Sequence, residues 1–353
     1  MKVLVVGKFY AEAFALHIDE TLKKMGHDVL RFEPGFKNGR TTTKIGSRFE
    51  QGWSTIYSAT DTIATIRDLR MRSFWSLISQ NQLDLIIVCY DYFWPEEVFK
   101  LKKRTGAMVI MWFPDAMVNF QRGFFINAPY DALFFKDPYI VKAFGDTLLS
   151  PVYYLPEAFN PQKHALCPSN FIINQEEYIC DITTAGNMHS WRAAGLRHLS
   201  EYKVNVWGSF PPSWLNLPHI TQMQMGRAVH NSEKAQAFLH AKIALNQLHY
   251  GEVWGVNVRC FEIAGIGAFQ MISWRPGLKD LFMDGKELVS FSSISDLKTK
   301  IKYWINRKEE RNEIAEAGKR RAYLEHTYKH RLELLIATLN GEEFGYLSTL
   351  NTI

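Results

Sequence analysis

No apolar run in this chain approaches the roughly 20 residues that a membrane-spanning helix needs. The longest, Leu83–Cys89 and Met108–Trp112, are short, and the first is broken by Asp84. Met1-Lys2 leads into only Val3-Leu4-Val5-Val6 before Gly7, too little for the apolar core of a secretory signal, and no small-residue cleavage site follows. The sequence therefore reads as cytoplasmic, without a transmembrane segment. Cysteine is scarce: Cys89, Cys167, Cys180 and Cys260 are scattered with no C-x-x-C pair, which argues against a zinc or dithiol centre and for buried free thiols. Also missing are G-x-G-x-x-G, G-x-x-x-x-G-K-[ST], G-x-S-x-G and H-E-x-x-H, so the usual dinucleotide, P-loop, esterase and zincin signatures are excluded. No D-x-D occurs that could hold a divalent cation on a diphosphate, so no metal site is expected.

What remains is ordinary globular material: 353 residues, 47% apolar and 22% charged, long enough for two cores. The net charge of +5 is too modest to require nucleic acid. The one dense basic run, Lys100, Lys102, Lys103 and Arg104, reads as the solvated end of a helix, with peripheral membrane contact as the alternative.

Short apolar runs alternate with helical periodicity. Lys2–Val6 reads as a strand, followed by Phe14, Ile18, Leu22 and Met25 at helical spacing up to Gly26. Strands are expected at Asp28–Phe32, Leu83–Cys89, Ala107–Trp112 and Tyr130–Phe135, with Lys37–Trp53 as an exposed excursion. After Pro156 the pattern starts again, with strands at Tyr178–Ala185, Val204–Trp207, Lys242–Leu245, Ala268–Ile272 and Leu288–Phe291. Such alternation implies α/β architecture with two parallel sheets. Ligands of such sheets gather at strand tips.

The stretch richest in chemistry is Lys242–Leu281. A strand ends at Asn246, and Gly255-Val256-Asn257-Val258-Arg259 opens a helix whose free amides and positive dipole end suit a diphosphate. Arg259 adds charge. Glu262, one turn on, could accept bonds from two ribose hydroxyls; the alternative is a helix-surface ion pair with Arg259. Gly186-Asn187 and Arg192 would add amides and a cation, or be plain turn residues. Trp207-Gly208 would border the base, or Trp207 would be an ordinary buried tryptophan. At N-terminal strand tips, Gly7, Lys8 and Asp115 are acceptor-side candidates, Asp115 as a base or as a loop cap. His249 is a further acceptor-side candidate.

In order and spacing, Gly255–Glu262, Ala264–Phe269, Pro276-Gly277-Leu278, Leu281-Phe282, Gly285-Lys286-Glu287, Glu310-Arg311, Ala315–Gly318, His326-Thr327-Tyr328 and Arg331 resemble the C-terminal module of the spore-maturation CgeB-like glycosyltransferases. The likeness is good over Lys242–Arg331. It is looser through Ala185-Gly186-Asn187, Arg192, Val206-Trp207-Gly208, Trp112, Asp115, Tyr130-Asp131 and Leu155-Pro156.

The resemblance implies the GT-B fold, two Rossmann-like domains facing across a cleft, with residues 1–155 on the acceptor side and 156–325 on the donor side. Residues 326–353 would pack back on the first domain. It implies a nucleoside-diphosphate sugar of UDP or GDP type as co-substrate, no other cofactor, and a glycan, lipid-linked or protein acceptor. Glu262 matches the ribose-holding glutamate of related retaining enzymes, with Arg259 and the Val256–Val258 amides on the diphosphate. Those enzymes carry E-x(7)-E; here Trp254 stands at the first position, and Glu252 is nearby but out of register. A nucleotide-sugar epimerase or hydrolase, or a silent nucleotide-sugar binder, would use the same features.

Overall fold

The computed structural model describes residues 1–35, 56, 59–120, 122–164, 175–208, 213–215 and 217–342. The expected excursion at Lys37–Trp53 and Cys167 lie outside the described residues. Cys89, Cys180 and Cys260 are buried and free.

Among the described residues, two sheets are built from eleven strands: β1 (Lys2–Val6), β2 (Asp28–Phe32), β3 (Leu85–Val88), β4 (Met108–Phe113), β5 (Ala132–Phe135), β6 (Val152–Tyr154), β7 (Cys180–Ala185), β8 (Val204–Trp207), β9 (Ala241–Asn246), β10 (Gln270–Ser273) and β11 (Val289–Phe291). The first has the order β2-β1-β3-β4-β5-β6, the second β11-β10-β9-β7-β8. Pairing is parallel from β2 through β4 in the first sheet and throughout the second. The central strands are fully buried, Val3–Val6 and Ile86–Val88 among them, as parallel strands covered by helices on both faces must be.

The chain forms two compact units. One comprises Met1–Phe113, Gln121–Phe134 and Leu148–Pro151, the other Pro114–Phe120, Phe135–Thr147 and Val152–Ile353. In the second, Ile182, Val206, Ile243, Leu245 and Met271 form a core on one side of the sheet with Leu196, Ile301 and Ile314 from helices. A separate core holds Trp207, Tyr178, Phe238 and Ile263. Asp115, expected with the N-terminal domain, falls in the second unit. The last helix, Tyr328–Leu339, is also part of that unit: Arg331 Nε donates to the carbonyls of Pro156 and Glu157 at 3.2 and 3.3 Å.

Candidate functional site

The helix expected near Val258–Ala264 spans Val258–Ile266, and its N-terminus is held by a reciprocal amide pair. Asn246 Nδ2, at the tip of β9, donates to Asn257 Oδ1 at 3.0 Å, and Asn257 Nδ2 returns a bond to Asn246 Oδ1 at 3.1 Å. Asn246, expected to contact the donor, is 1% exposed and instead fixes the loop to the strand. The loop is fixed on its other side by Asp137, whose carboxylate accepts from the amides of Val253 and Trp254 at 2.8 and 3.1 Å. Gly255 allows this approach: a Cβ there would lie 2.7 Å from the Lys136 carbonyl oxygen. Val256, Asn257 and Val258, the amides expected to meet a diphosphate, have no backbone acceptor among the described residues. They lie at the positive end of the helix.

Two guanidinium groups converge beside this helix. Gly186, at the end of β7, has φ +123°, which an L side chain rarely adopts. A Cβ on it would lie 2.6 Å from Arg259 Nη2 and 3.3 Å from Arg192 Nη1. Gly208 is required as well, since its Cβ would come within 2.2 Å of the Gly186 carbonyl oxygen. Arg192 rides on the helix Ser190–Leu196, capped by His189 Nδ1 at 3.2 Å from the Arg192 amide. Its Nη1 donates to the Asn187 carbonyl at 2.6 Å. Among the described residues neither arginine has a carboxylate partner, and the Nε of each is buried without an acceptor. Burial first, then the charge of Arg259, pushes Arg192 down to about 9, so it remains cationic at neutral pH. Two guanidinium groups side by side, one 6% exposed, present the kind of donors that suit an anion.

Glu262 does not pair with Arg259. Its Oε1 is held by Lys234 Nζ at 2.9 Å and lies 3.3 Å from His164 Nε2, all three groups being buried. Oε2 has no hydrogen-bond partner. Burial opposes ionisation, but Lys234, then His164 and Arg259, outweigh it and hold the carboxyl well below the usual range. Of the carboxylate expected to accept from two ribose hydroxyls, Oε1 is already taken by Lys234. Lys234 and His164 were missed, because each sits on a short helix, Asn231–Leu239 and Pro161–His164, with no motif around it.

Trp207 is corrected outright. It is 1% exposed, stacked on Tyr178 at 5.1 Å, and its indole N–H donates to Thr183 Oγ1 at 3.1 Å. An indole closed over in this way is core and does not face a nucleotide base. Gly7 and Lys8 lie in the first unit. A Cβ on Gly7 would lie 2.5 Å from Ala15, and Lys8 Nζ donates to the Pro34 carbonyl at 2.8 Å and sits 3.5 Å from Glu33. Gly7 thus serves strand-to-helix packing. Asp115 Oδ1 accepts from the following Ala116 amide at 2.8 Å, the capping geometry that was its alternative reading. His249 Nδ1 accepts from Gly251 N at 3.1 Å, and its ring packs on His189 and Tyr250 at 4.8 and 4.0 Å. Burial, with Arg192 and Lys136 against Glu252 and Asp115, lowers its pKa.

A buried cluster that the sequence did not reveal lies next to these groups. Lys136 Nζ donates to Glu252 Oε1 at 2.9 Å and is 3.5 Å from Glu157 Oε2. Burial disfavours the ammonium, but Glu252, Glu157 and Asp115 raise its pKa overall. Burial pushes Glu157 up to about 8; Lys136 works against this, while Glu252, Asp115 and Glu262 add to it. Lys136 directly follows β5, and the rule that sites gather at strand tips was the available signal for it.

Residues 190–337 match the family model described as glycosyl transferase-like. That span carries Arg192, Lys234, Glu252, Arg259 and Glu262. No curated protein matches the chain. Among solved structures it is similar to a glycosyltransferase from Rickettsia africae (TM-score 0.64, 12% identity, covering 96% of this chain and 98% of that one). It is also similar to Anabaena HepE in complex with UDP (0.67, 11%, 97% and 100%) and to sucrose-phosphate synthase from Thermosynechococcus elongatus (0.63, 11%, 97% and 100%). The fold is therefore GT-B, two parallel-sheet α/β domains. The finer CgeB-like assignment remains a resemblance. No described helix is long and apolar enough to cross a membrane, and among the described residues no three His, Cys, Asp or Glu are grouped to hold a metal ion.

Proposed function

We propose that this chain is a glycosyltransferase that moves a hexose from a nucleoside-diphosphate sugar, of UDP or GDP type, to an acceptor hydroxyl of a glycan, lipid-linked or protein substrate in the cytoplasm. The observation that carries this reading is the convergence of Arg192 and Arg259 on Gly186, with the Nε of each buried and lacking an acceptor. With the Val256–Val258 amides they make a receptor for the diphosphate, and they stabilise its charge as the sugar C1–O bond breaks and the electron pair leaves with the phosphate. Gly186 and Gly208 let backbone approach the ligand, Asn187 orients Arg192, and Glu262 Oε2 accepts from the ribose. The grip consists of cations and amides, so the reaction is metal-independent. In a retaining transfer the departing phosphate takes the acceptor proton; in an inverting one Asp115 is the base. Structural neighbours solved with UDP and with UDP-glucose support a donor of this class.

The test is a panel of labelled UDP, GDP, ADP and CMP sugars with and without excess EDTA, read by nucleotide release and by calorimetry. One nucleotide class should bind, turnover should survive chelation, and Arg259→Ala should weaken binding about tenfold to a hundredfold. Failure of every nucleotide and nucleotide-sugar to bind would refute the reading.

A further inference from the structure

This inference rests on the donor-site reading and names the class of sugar the site takes. The interior of the second unit is polarised. At one end stand the guanidinium groups of Arg192 and Arg259. At the other, Glu157 and Glu252 share the single ammonium of Lys136, and all three are 7% exposed or less. The charge of Asp115 also bears on Lys136, Glu157 and His249.

The two ends are joined by direct contacts. His189 caps the Arg192 helix, its ring packs on His249 at 4.8 Å, and the Glu252 amide donates to the His249 carbonyl at 3.0 Å. A structural ion pair would need only Glu252 and Lys136. Here a second carboxyl is added, and Glu252 Oε2 is enclosed without a hydrogen-bond donor. A buried carboxylate oxygen in that state is costly until something donates to it.

We propose that the donor sugar is a non-anionic hexose whose hydroxyls donate to Glu252 and Glu157, and that these carboxyls exclude uronic acids. A nucleotide-sugar has the matching polarity, an anionic diphosphate joined to a ring bearing only hydroxyls. A uronate would bring a third or fourth negative charge against Glu252 and Asp115, where like charges in a low-dielectric interior repel strongly. Discrimination rises with pH. Below about 8 Glu157 keeps its proton and can itself donate; above it Glu157 ionises, in the field of Lys136, Glu252, Asp115 and Glu262.

The experiment titrates the full chain calorimetrically with matched pairs, UDP-glucose against UDP-glucuronic acid and GDP-mannose against GDP-mannuronic acid, and with UDP and GDP alone. The neutral member should bind at least tenfold more tightly at pH 7, with a wider ratio at pH 9. Glu252→Gln, or Glu157→Gln if the first variant does not fold, should narrow the ratio severalfold while leaving affinity for the bare nucleotide unchanged. Equal affinities within a pair, or a ratio unmoved by the substitution, would overturn the proposal while bare nucleotide still bound. Absence of nucleotide binding altogether would instead remove the donor-site reading and this inference with it.

Discussion

Arg192→Met should make the free protein more stable and the nucleotide-loaded protein less stable than the wild type. Arg192 is almost fully buried, and its fall from 12.5 to about 9 corresponds to about 4–5 kcal/mol of unfavourable charge burial. The substitution also removes its bond to the Asn187 carbonyl at 2.6 Å, a charged hydrogen bond contributing roughly 1.5–3 kcal/mol. The difference favours the variant by about 2 kcal/mol, a rise of roughly 4–8 °C in melting temperature for a domain of this size. Methionine fills the space with an adaptable apolar chain. Saturating nucleotide reverses the order, because a ligand at a hundred times its Kd adds about 2.7 kcal/mol to the wild type and little to a variant that binds weakly. The sign with pH follows from a depressed base. Below about 9 both folded and unfolded states hold the proton and the full penalty applies; as pH rises above 9 the folded state releases it, and the gap between variant and wild type closes. Differential scanning calorimetry with and without UDP or GDP measures each quantity. A variant that is less stable when free would show that Arg192 is a structural tie and not a charge held ready for an anion.

Gly186→Ala should cost about 1–3 kcal/mol from its φ of +123° and displace Arg259, so that both melting temperature and nucleotide affinity fall; affinity preserved in a folded variant would exclude convergence at Gly186 as the grip. Trp207→Phe should lower stability by about 1–3 kcal/mol through the lost Thr183 bond and indole volume, with nucleotide affinity unchanged, which calorimetry and a thermal melt check together. Glu262→Gln removes the carboxylate charge that Lys234 Nζ meets at 2.9 Å in the interior and should destabilise by about 3–5 kcal/mol near neutral pH. Because the folded pKa of Glu262 is depressed, that contribution is present in full above the unfolded carboxylate pKa and is lost as pH falls from there through the folded pKa, so the melting curves of variant and wild type should converge in strong acid. Asp115→Asn should leave nucleotide affinity intact; turnover cut about a hundredfold would identify a base, and full turnover would leave Asp115 as the cap its bond to Ala116 describes.

The second sheet was legible because its strands are short, apolar and separated by helical periodicity, and Val204–Trp207 was placed to the residue. The glycine-led loop was legible too, since a glycine followed by a helix start is a local pattern. Arg192 and Arg259 could be named as separate cations, but their meeting at Gly186 depends on two strand tips lying side by side in the sheet order, with β7 next to β9. Trp207 shows the opposite limit: a tryptophan ending a strand has the same sequence signature whether its ring faces a ligand or the core.

Sequence alone determined what is encoded within a few neighbouring residues: the alternation that builds parallel α/β layers, the turn glycines, and the candidate cations and carboxylates near them. Tertiary structure alone decided the partners. Lys136, Glu157 and Glu252 come from three separate segments, as do His164, Lys234 and Glu262. Burial and charge pairing are properties of the packed interior, where a low dielectric turns proximity into large pKa shifts, and one-dimensional spacing carries no record of which distant residues share that space.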